Sequence, residues 1–208
     1  MNDQPTRQKG FIVFEGIDGA GTTTQTQYLA ARLGAAGQRV WLTSEPTERP
    51  VGLIARRVLA GDLAVAPEAV AHIFAADRCD HLYSPGGIVE RLAGGEIVVC
   101  DRYKYSSLAY QTIEIGGNLV ESLNAGFDDP ELVVFLDLPV HVGEQRLATR
   151  TRRDIYERLE FQEKVRERYL RVLKSASSAV RVVTLDGTLA PDILAEKIWE
   201  AVGETSIL

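Results

Sequence analysis

Five short apolar runs alternate along this chain with segments in which apolar residues recur at helical spacing. The runs cover residues 11–15, 40–43, 97–100, 132–138 and 180–185. They are almost continuously apolar, as strands are when both faces of a parallel sheet are covered. The alternation therefore predicts an α/β fold with helices on both faces of the sheet. Ligands bind such folds at the carboxyl ends of the strands, so functional residues are expected there.

Helical patterns fill the intervals between these runs. They cover residues 23–36, 51–60, 67–93, 105–111, 118–126, 140–149, 157–175 and 191–202. Gly37 and Gly61 follow the first two patterns as helix stops, and Pro85 lies in a four-residue interruption of the third. The chain has 208 residues, which is enough for one sizeable α/β domain and short for two.

The composition is ordinary for a soluble globular protein, with 45% hydrophobic and 25% charged residues. A net charge of -6 argues against a general nucleic-acid or anionic-membrane binder. No apolar run approaches the roughly 18 residues of a membrane span, and the polar first ten residues do not resemble a signal peptide. We interpret Cys79 and Cys100 as buried thiols rather than a disulfide, which predicts a reducing, cytoplasmic compartment.

The first predicted strand leads into a glycine-rich turn that opens a helical pattern. Gly16 and Gly21 have the spacing of a phosphate-binding loop, and Thr23 stands at its hydroxyl position. The backbone N–H groups of such a loop and the following helix N-terminus form an anion site. Thr22, however, occupies the position of the Lys that reaches the β- and γ-phosphates. A glycine-rich turn without a ligand remains the alternative.

Charged residues follow the third predicted strand and a long helical pattern. Asp101 can orient a metal ion or its water shell, and Arg102 can bind a phosphate with two hydrogen bonds; an ion pair that closes the strand is the alternative. Phe74 and Arg78 share a helix face, where they could stack on a base and bond its edge. Phe74 could instead belong to the core.

Four arginines occur within nine residues after the fourth predicted strand, and such a segment could close over a triphosphate. A solvated, salt-bridged helix face is the more common origin of a charge run. These arginines are Arg150, Arg152, Arg153 and Arg158. The histidines have neither metal spacing nor a nucleophile partner, so we interpret all three as structural; they are His72, His81 and His141.

This chain resembles the thymidylate kinase family, the P-loop enzymes that phosphorylate dTMP to dTDP, over roughly residues 10–202. The resemblance rests on six segments in order: FEGIDGAGTTTQ, SEPT, FAADRCDH, DRYKYSSLAYQ, VVFLDLPVHVGEQR and DIYERLEFQEKVRERYL. It implies a P-loop kinase three-layer sandwich with a five-stranded parallel sheet of order 2-3-1-4-5. It also implies one nucleotide kinase domain over residues 1–208, a lid at about 149–158, a homodimer, ATP as the phosphoryl donor and Mg²⁺ as cofactor.

The resemblance also implies a set of site residues. ATP would be bound by Gly16, Ile17, Asp18, Gly19, Ala20, Gly21, Thr22, Thr23 and Thr24. The acceptor dTMP would be bound by Glu45, Pro46, Phe74, Arg78, Arg102, Ser107, Tyr110 and Gln111. The catalytic residues would be Asp18, Arg102, Arg150 and Arg153, and the metal would be held, directly or through water, by Thr23 and Asp101.

Within this set the resemblance implies individual roles. Phe74 would stack on thymine, and Arg78 would contact the base edge. Arg102 would hold the dTMP phosphate, and Tyr110 would help to exclude ribose. Glu15 would lie near the acceptor nucleotide and the water shell of the metal.

The chain departs from the family pattern at three positions. Thr22 replaces the loop Lys, Ser44 replaces an Arg common before Glu-Pro, and Ile155 replaces an Arg common in the lid. Because Thr22 carries no charge, we expect a lid arginine to supply it. Two alternatives remain: a non-catalytic nucleotide-binding kinase homologue, and the same fold acting on a different nucleotide.

Overall fold

Within residues 7–148, 156, 159–176 and 180–207, which the computed structural model describes, five strands form one parallel sheet. The strands are β1 (Arg7–Gly16), β2 (Val40–Ser44), β3 (Ile97–Asp101), β4 (Asp129–Asp137) and β5 (Arg181–Asp186). They lie in the order β2-β3-β1-β4-β5, and each neighbouring pair is parallel. The predicted sheet order is therefore confirmed.

Helices flank the sheet in two groups, α1 with α9 and α5 with α3, α6 and α8. Their bounds are α1 (Thr22–Ala35), α2 (Pro50–Leu59), α3 (Pro67–Tyr83), α4 (Ile88–Ala93), α5 (Lys104–Ile115), α6 (Gly117–Asn124), α7 (Val140–Leu147), α8 (Leu159–Ala176) and α9 (Pro191–Gly203). The long predicted helix is divided into α3 and α4. Pro85 lacks an N–H for a helical hydrogen bond, and the Gly87 N–H bonds to the Ser84 carbonyl oxygen at 2.8 Å in a turn.

The core lies on the three central strands, β3, β1 and β4, where Phe11, Phe14 and Leu136 are fully buried. The two outer strands, β2 and β5, are only half-buried, and Leu42 of β2 is 41% exposed. The prediction that all five strands are buried on both faces is therefore wrong for β2 and β5, which lie at the edges of the sheet, where their side chains are only partly covered.

β1 begins four residues earlier than predicted. Arg7 and Gln8 carry no apolar signal, yet they pair with Asp129 and Pro130 of β4. The Gln8 side-chain amide also donates to an Asp128 carboxylate oxygen at 2.8 Å. Pairing with a neighbouring strand, rather than burial, extends this end of β1.

The two cysteines differ in environment, although both are free thiols in the described part of the chain. Cys100 is buried in β3, as predicted, and burial raises its pKa well above the ordinary value. Cys79 is exposed, so the prediction that both are buried is wrong. It follows the inward-facing Arg78 by one position, and one helical step turns a side chain away from the buried face. Among the described helices, none is long and apolar enough to cross a membrane.

Candidate active site

A cleft of about 1390 Å³ opens where the loops after β1, β2 and β3 meet helices α3 and α5. Gly16 lies at the base of the first loop and contacts Arg102 through its carbonyl oxygen. The other predicted site residues that the structure describes all line the cleft. They are Ile17, Asp18, Gly19, Ala20, Gly21, Thr22, Thr23, Thr24, Glu45, Pro46, Phe74, Arg78, Asp101, Arg102, Ser107, Tyr110 and Gln111. Arg150 and Arg153 lie outside the described residues, as do Arg152 and Arg158.

The backbone of the first loop has the geometry of an anion site. Gly21 precedes α1 with φ 92° and ψ 16°, a left-handed conformation that glycine adopts readily. It has no side chain to cap the helix, so the first N–H groups of α1 can bind an anion. Gly19 also has a positive φ, and a Cβ added there would lie 2.7 Å from the Gly143 carbonyl oxygen of α7. The loop therefore packs backbone to backbone on α7.

Thr22, at the position of the expected Lys, is buried against this loop. A Cβ added to Gly16 would come within 3.4 Å of the Thr22 methyl carbon, so the side chain lies back along the loop. It brings no charge to a bound phosphate, and compensating charge must come from other residues.

Arg146 of α7 is a second cation that contacts the loop. Its Nη1 donates to the Gly19 carbonyl oxygen at 3.2 Å, and its Nη2 donates to the Gly187 carbonyl oxygen after β5 at 3.0 Å. No pattern in the sequence indicates a function for this residue. Its side chain lines the cleft and joins the phosphate-binding loop to the segment that precedes α9.

Thr23 and Asp101 meet at the junction of α1 and β3. Thr23 Oγ1 donates to Asp101 Oδ2 at 2.5 Å, while Asp101 Oδ1 is buried without a hydrogen-bond partner among the described residues. A hydroxyl beside an unsatisfied carboxylate oxygen fits a hard cation such as Mg²⁺, which prefers oxygen ligands. Within the described residues no three His, Cys, Asp or Glu side chains form a group that could hold a metal ion by themselves. A metal here could therefore be held by these two residues together with phosphate oxygens and water.

Arg102 joins β3 to the phosphate-binding loop. Its Nη1 donates to the Gly16 carbonyl oxygen at 2.9 Å, and its Nη2 forms a 2.7 Å ion pair with Asp18 Oδ1. The other carboxylate oxygen of Asp18 accepts a 2.7 Å hydrogen bond from Gln162 Nε2 of α8. Asp18 is thus held from two sides. The alternative of an Asp101–Arg102 ion pair that closes the strand is not found among the ion pairs of the described residues, because Arg102 pairs with Asp18 instead.

The backbone of Arg102 is in the left-handed region, with φ 70°. This conformation costs roughly 1–2 kcal/mol for a residue with a Cβ. Hydrogen bonds hold it: the Arg102 N–H donates to the Phe14 carbonyl oxygen at 2.9 Å, and the Cys100 thiol donates to the Arg102 carbonyl oxygen at 3.0 Å. The strain aims the guanidinium back across the sheet edge at the loop after β1.

The Glu15 carboxylate is fully buried beneath the cleft. It accepts hydrogen bonds from the Tyr103 N–H at 2.9 Å, the Ser106 hydroxyl at 2.7 Å and the Tyr169 hydroxyl at 2.9 Å. Burial raises the pKa of Glu15 to about 7, although these hydrogen bonds and the charge of Arg102 partly offset it. The side chain fixes the start of α5 through these contacts, and it is not among the residues that line the cleft.

The side of the cleft between α3 and α5 contains aromatic rings and a buried arginine. Phe74 is half-buried and lines the cleft, which favours the functional interpretation of that residue. Tyr110 is 6% exposed and lies under the Arg102 guanidinium, 5.5 Å from the ring centroid. Arg78 is also buried and pairs with Glu45 at 2.7 Å. The Arg78 guanidinium is therefore held by the protein where it lines the cleft.

Arg56 of α2 stands beside Ser44, where the resemblance leads one to expect an arginine. Its Nε donates to the Thr47 carbonyl oxygen at 3.0 Å, and its Nη2 lies 3.5 Å from Ser44 Oγ. Its Nη2 also donates to the Pro46 carbonyl oxygen. A guanidinium from a neighbouring helix thus occupies this part of the cleft.

Sequence reasoning missed two polar residues that contact the site. Gln162 meets Asp18 across 144 residues, and no local pattern distinguishes it from the other polar residues of α8. His81, interpreted as structural, contacts Glu45 at 3.1 Å. A signal did exist for His81: it follows Phe74 by seven residues and Arg78 by three, so all three share one helix face.

Comparison with known proteins agrees with this geometry. A sequence model of the family described as thymidylate kinase matches residues 14–198. The chain is 41% identical over 203 residues to a protein named thymidylate kinase from Thermomicrobium roseum, covering 93% of this chain and 94% of that one. It is 39% identical over 207 residues to a protein named thymidylate kinase from Trichlorobacter lovleyi, covering 92% and 96%.

A parallel sheet of this order, with a phosphate-binding loop after β1 and a charged cleft above its carboxyl edge, defines the class of P-loop kinases. Within that class, the family match covers most of the sequence. The chain belongs to the thymidylate kinase family, and the resemblance seen in its motifs is confirmed.

Proposed function

We propose that this enzyme, a dTMP kinase, transfers the γ-phosphoryl group of ATP to the phosphate of dTMP and forms dTDP and ADP. Arg102 is the observation that carries the proposal. Its guanidinium stands at the end of β3 against the phosphate-binding loop, within one cleft that also contains Phe74. A cation placed between a phosphate loop and an aromatic pocket suits a reaction that joins two phosphates.

The donor phosphates bind the loop of residues 16–24 and the first turn of α1. Backbone N–H groups supply most of the contacts, because Gly19 and Gly21 let the chain curve closely around an anion. Thr23 and Asp101 would hold Mg²⁺, which neutralises charge on the transferring phosphoryl group when bound. Arg150 and Arg153 of the proposed lid at about 149–158 supply the positive charge that Thr22 lacks.

The acceptor binds between α3 and α5. Phe74 stacks on thymine, Arg78 contacts the base edge, and Tyr110 packs where a ribose 2′-hydroxyl would project. Arg102 holds the acceptor phosphate, and Asp18 keeps the Arg102 guanidinium in place through their 2.7 Å contact. The remaining proposed contacts of dTMP are those of Glu45, Pro46, Ser107 and Gln111, which line the same cleft.

The reaction needs alignment and charge neutralisation rather than a protein nucleophile. An oxygen of the dTMP phosphate attacks the γ-phosphorus of ATP, the bond between the β- and γ-phosphates breaks, and ADP leaves. Arg102 aligns the attacking phosphate, and the N–H groups of the loop hold the leaving ADP. Tyr110 and its aromatic neighbours limit the entry of water, which would otherwise accept the phosphoryl group.

Three further features belong to the proposal. Residues 1–208 form one P-loop nucleotide kinase domain, which the single sheet supports. The enzyme is a homodimer, which is supported by apolar side chains on α2 such as Leu53, 50% exposed, and Ile54, 41% exposed. The compartment is cytoplasmic, where the free thiols Cys79 and Cys100 would stay reduced.

A coupled assay of ADP release tests the substrate directly. The acceptors are dTMP, dUMP, ribothymidine monophosphate and dCMP, each with ATP and Mg²⁺. We expect dTMP to be preferred over dUMP by about 10–200-fold, the discrimination that one methyl group allows, and over the ribonucleotide more strongly. A different best acceptor would assign the fold to another nucleotide. Nucleotide binding without ADP release would indicate a non-catalytic homologue.

A further inference from the structure

Arg78, the proposed contact of the base edge, is 1% exposed and is held on three sides. Its Nη1 donates to Asn124 Oδ1 of α6, its Nη2 donates to Ser107 Oγ of α5 at 3.2 Å, and its Nη2 pairs with Glu45 Oε2 at 2.7 Å. Glu45 supplies the only carboxylate among these three partners. The direction of the guanidinium therefore depends in part on where the Glu45 carboxylate lies.

Glu45 lies on the loop after β2. Its backbone is fixed, since the Glu45 N–H donates to the Asp101 carbonyl oxygen at 3.0 Å. Its side chain needs a second anchor, because a carboxylate held by Arg78 alone could move with that arginine. His81 provides the anchor: Nδ1 of its ring lies 3.1 Å from Glu45 Oε1.

His81 is itself immobilised. Its Nε2 lies 2.8 Å from Thr43 Oγ1 of β2, and its ring meets Trp41 edge to face, with centroids 5.5 Å apart. Only 1% of the residue is exposed. Because a carboxylate can only accept, Nδ1 carries the hydrogen towards Glu45, and in neutral imidazole Nε2 accepts from the Thr43 hydroxyl. The contacts thus connect β2, the following loop and α3.

We propose that His81 is a positioning residue for the acceptor nucleotide: it fixes the Glu45 carboxylate, which in turn fixes the Arg78 guanidinium at the base edge. This inference rests on the proposed function, in which Arg78 contacts thymine. The role requires the Nδ1–H of His81 to face Glu45. Filling the same volume without that donor would leave a buried carboxylate oxygen unsatisfied.

Two substitutions distinguish the effect of losing the His81 Nδ1–H donor from the effect of changing the side-chain volume. In His81→Asn, the side-chain amide nitrogen can stand near the place of Nδ1 and donate to Glu45. In His81→Gln, the amide reaches the place of Nε2 and can bond Thr43, but the donor to Glu45 is lost. His72→Gln is the matched control, because His72 is exposed on the same helix and contacts the Glu68 carbonyl oxygen.

The measurements are KM and kcat for dTMP and ATP, and the Kd for dTMP by calorimetry. His81→Gln should raise KM and Kd for dTMP by about 10-fold or more, the usual effect of losing a hydrogen bond to a charged group. KM for ATP should not change. His81→Asn should restore most of the dTMP affinity, and His72→Gln should behave as wild type.

Equal dTMP constants for the Asn and Gln variants, or a parallel rise in KM for ATP, would overturn the inference and leave His81 a core residue. If either variant fails to fold, Thr43→Val supplies the second test. Loss of the Thr43 hydroxyl frees the imidazole, so Kd for dTMP should rise; an unchanged Kd would contradict the role. A wild type that binds no dTMP would overturn the proposed function instead, and the two failures are thereby distinguished.

Discussion

At the scale of single residues, Arg102 combines a strained backbone with contacts to the phosphate-binding loop. In the proposed function Arg102 both binds and aligns the acceptor phosphate, so Arg102→Ala should raise KM for dTMP and lower kcat. The loss in kcat/KM should be about 2–4 kcal/mol, as for other preorganised donors. Arg171→Ala is the control, since that exposed arginine pairs only with Glu167 one turn away in the described contacts. Steady-state kinetics unchanged by Arg102→Ala would remove it from the site.

Glu15 makes stability depend on pH. Its pKa is raised to about 7 by burial, whereas the carboxyl of an unfolded chain titrates near 4.5. The folded state therefore holds a proton that the unfolded state loses first, and stability falls as pH rises from about 4.5 through 7. The titration of Glu15 should lower the free energy of unfolding by on the order of 3 kcal/mol over this pH range.

Glu15→Gln should abolish this share of the pH dependence. Urea unfolding at pH 5.5 and at pH 8 measures it, and wild type should lose more stability between the two values than the variant. Any pH dependence of stability that remains in the variant would come from other buried acids such as Asp77, whose pKa is also raised by burial. Equal slopes for both proteins would mean that Glu15 is ionised throughout this range.

Among the helices and loops, the phosphate-binding loop lies so close to α7 that there is no room for a side chain at Gly143. A Cβ at Gly143 would lie 2.6 Å from the Asp18 carbonyl oxygen. Gly143→Ala should therefore move the loop, although alanine favours the helix. We expect kcat/KM for ATP to fall by up to about 100-fold, which a shift of ~1 Å can cause.

Gly34→Ala in α1 is the matched control for this contact. No atom lies within 4 Å of a Cβ at that position, so the variant should gain about 0.5–1 kcal/mol of stability and keep its activity. Thermal melts and ATP kinetics of both variants check the prediction. If Gly143→Ala melts higher and turns over like wild type, α7 does not constrain the loop.

The elements also show what a sequence can predict. Apolar runs located all five strands. The signal is clearest for central strands such as β3, because a strand buried on both faces consists of consecutive apolar residues. The start of β1 was missed because Arg7 and Gln8 join the strand by backbone pairing, which leaves no apolar pattern. The cleft residues that belong to local sequence motifs could be predicted from those motifs. Gln162 could not, since its contact with Asp18 exists only after α8 has packed in the folded protein.

At the scale of the whole molecule, the charge missing at Thr22 has to be supplied by another part of the chain. We expect a lid arginine, Arg150 or Arg153, to supply it. Replacing by alanine whichever of Arg150 and Arg153 supplies this charge should then lower kcat far more than it weakens ATP binding. Thr22→Lys should partly rescue that variant, because two charges that serve one transition state do not act additively.

A double-mutant cycle on kcat between Thr22→Lys and each Arg→Ala change measures this coupling. Additive effects for both arginines would show that the lid and the loop act independently. Wild-type kcat in every lid variant would mean that the compensating charge lies elsewhere, for example on Arg146, which contacts Gly19.

A phosphate-binding loop without lysine should still support phosphoryl transfer to dTMP. The most direct measurement follows dTMP, ATP and Mg²⁺ with the wild-type protein by ³¹P NMR. We expect dTDP and ADP to appear in equal amounts, and Arg102→Ala to slow the formation of both together. ATP hydrolysis to inorganic phosphate without dTDP, or nucleotide binding with no new resonance, would contradict it.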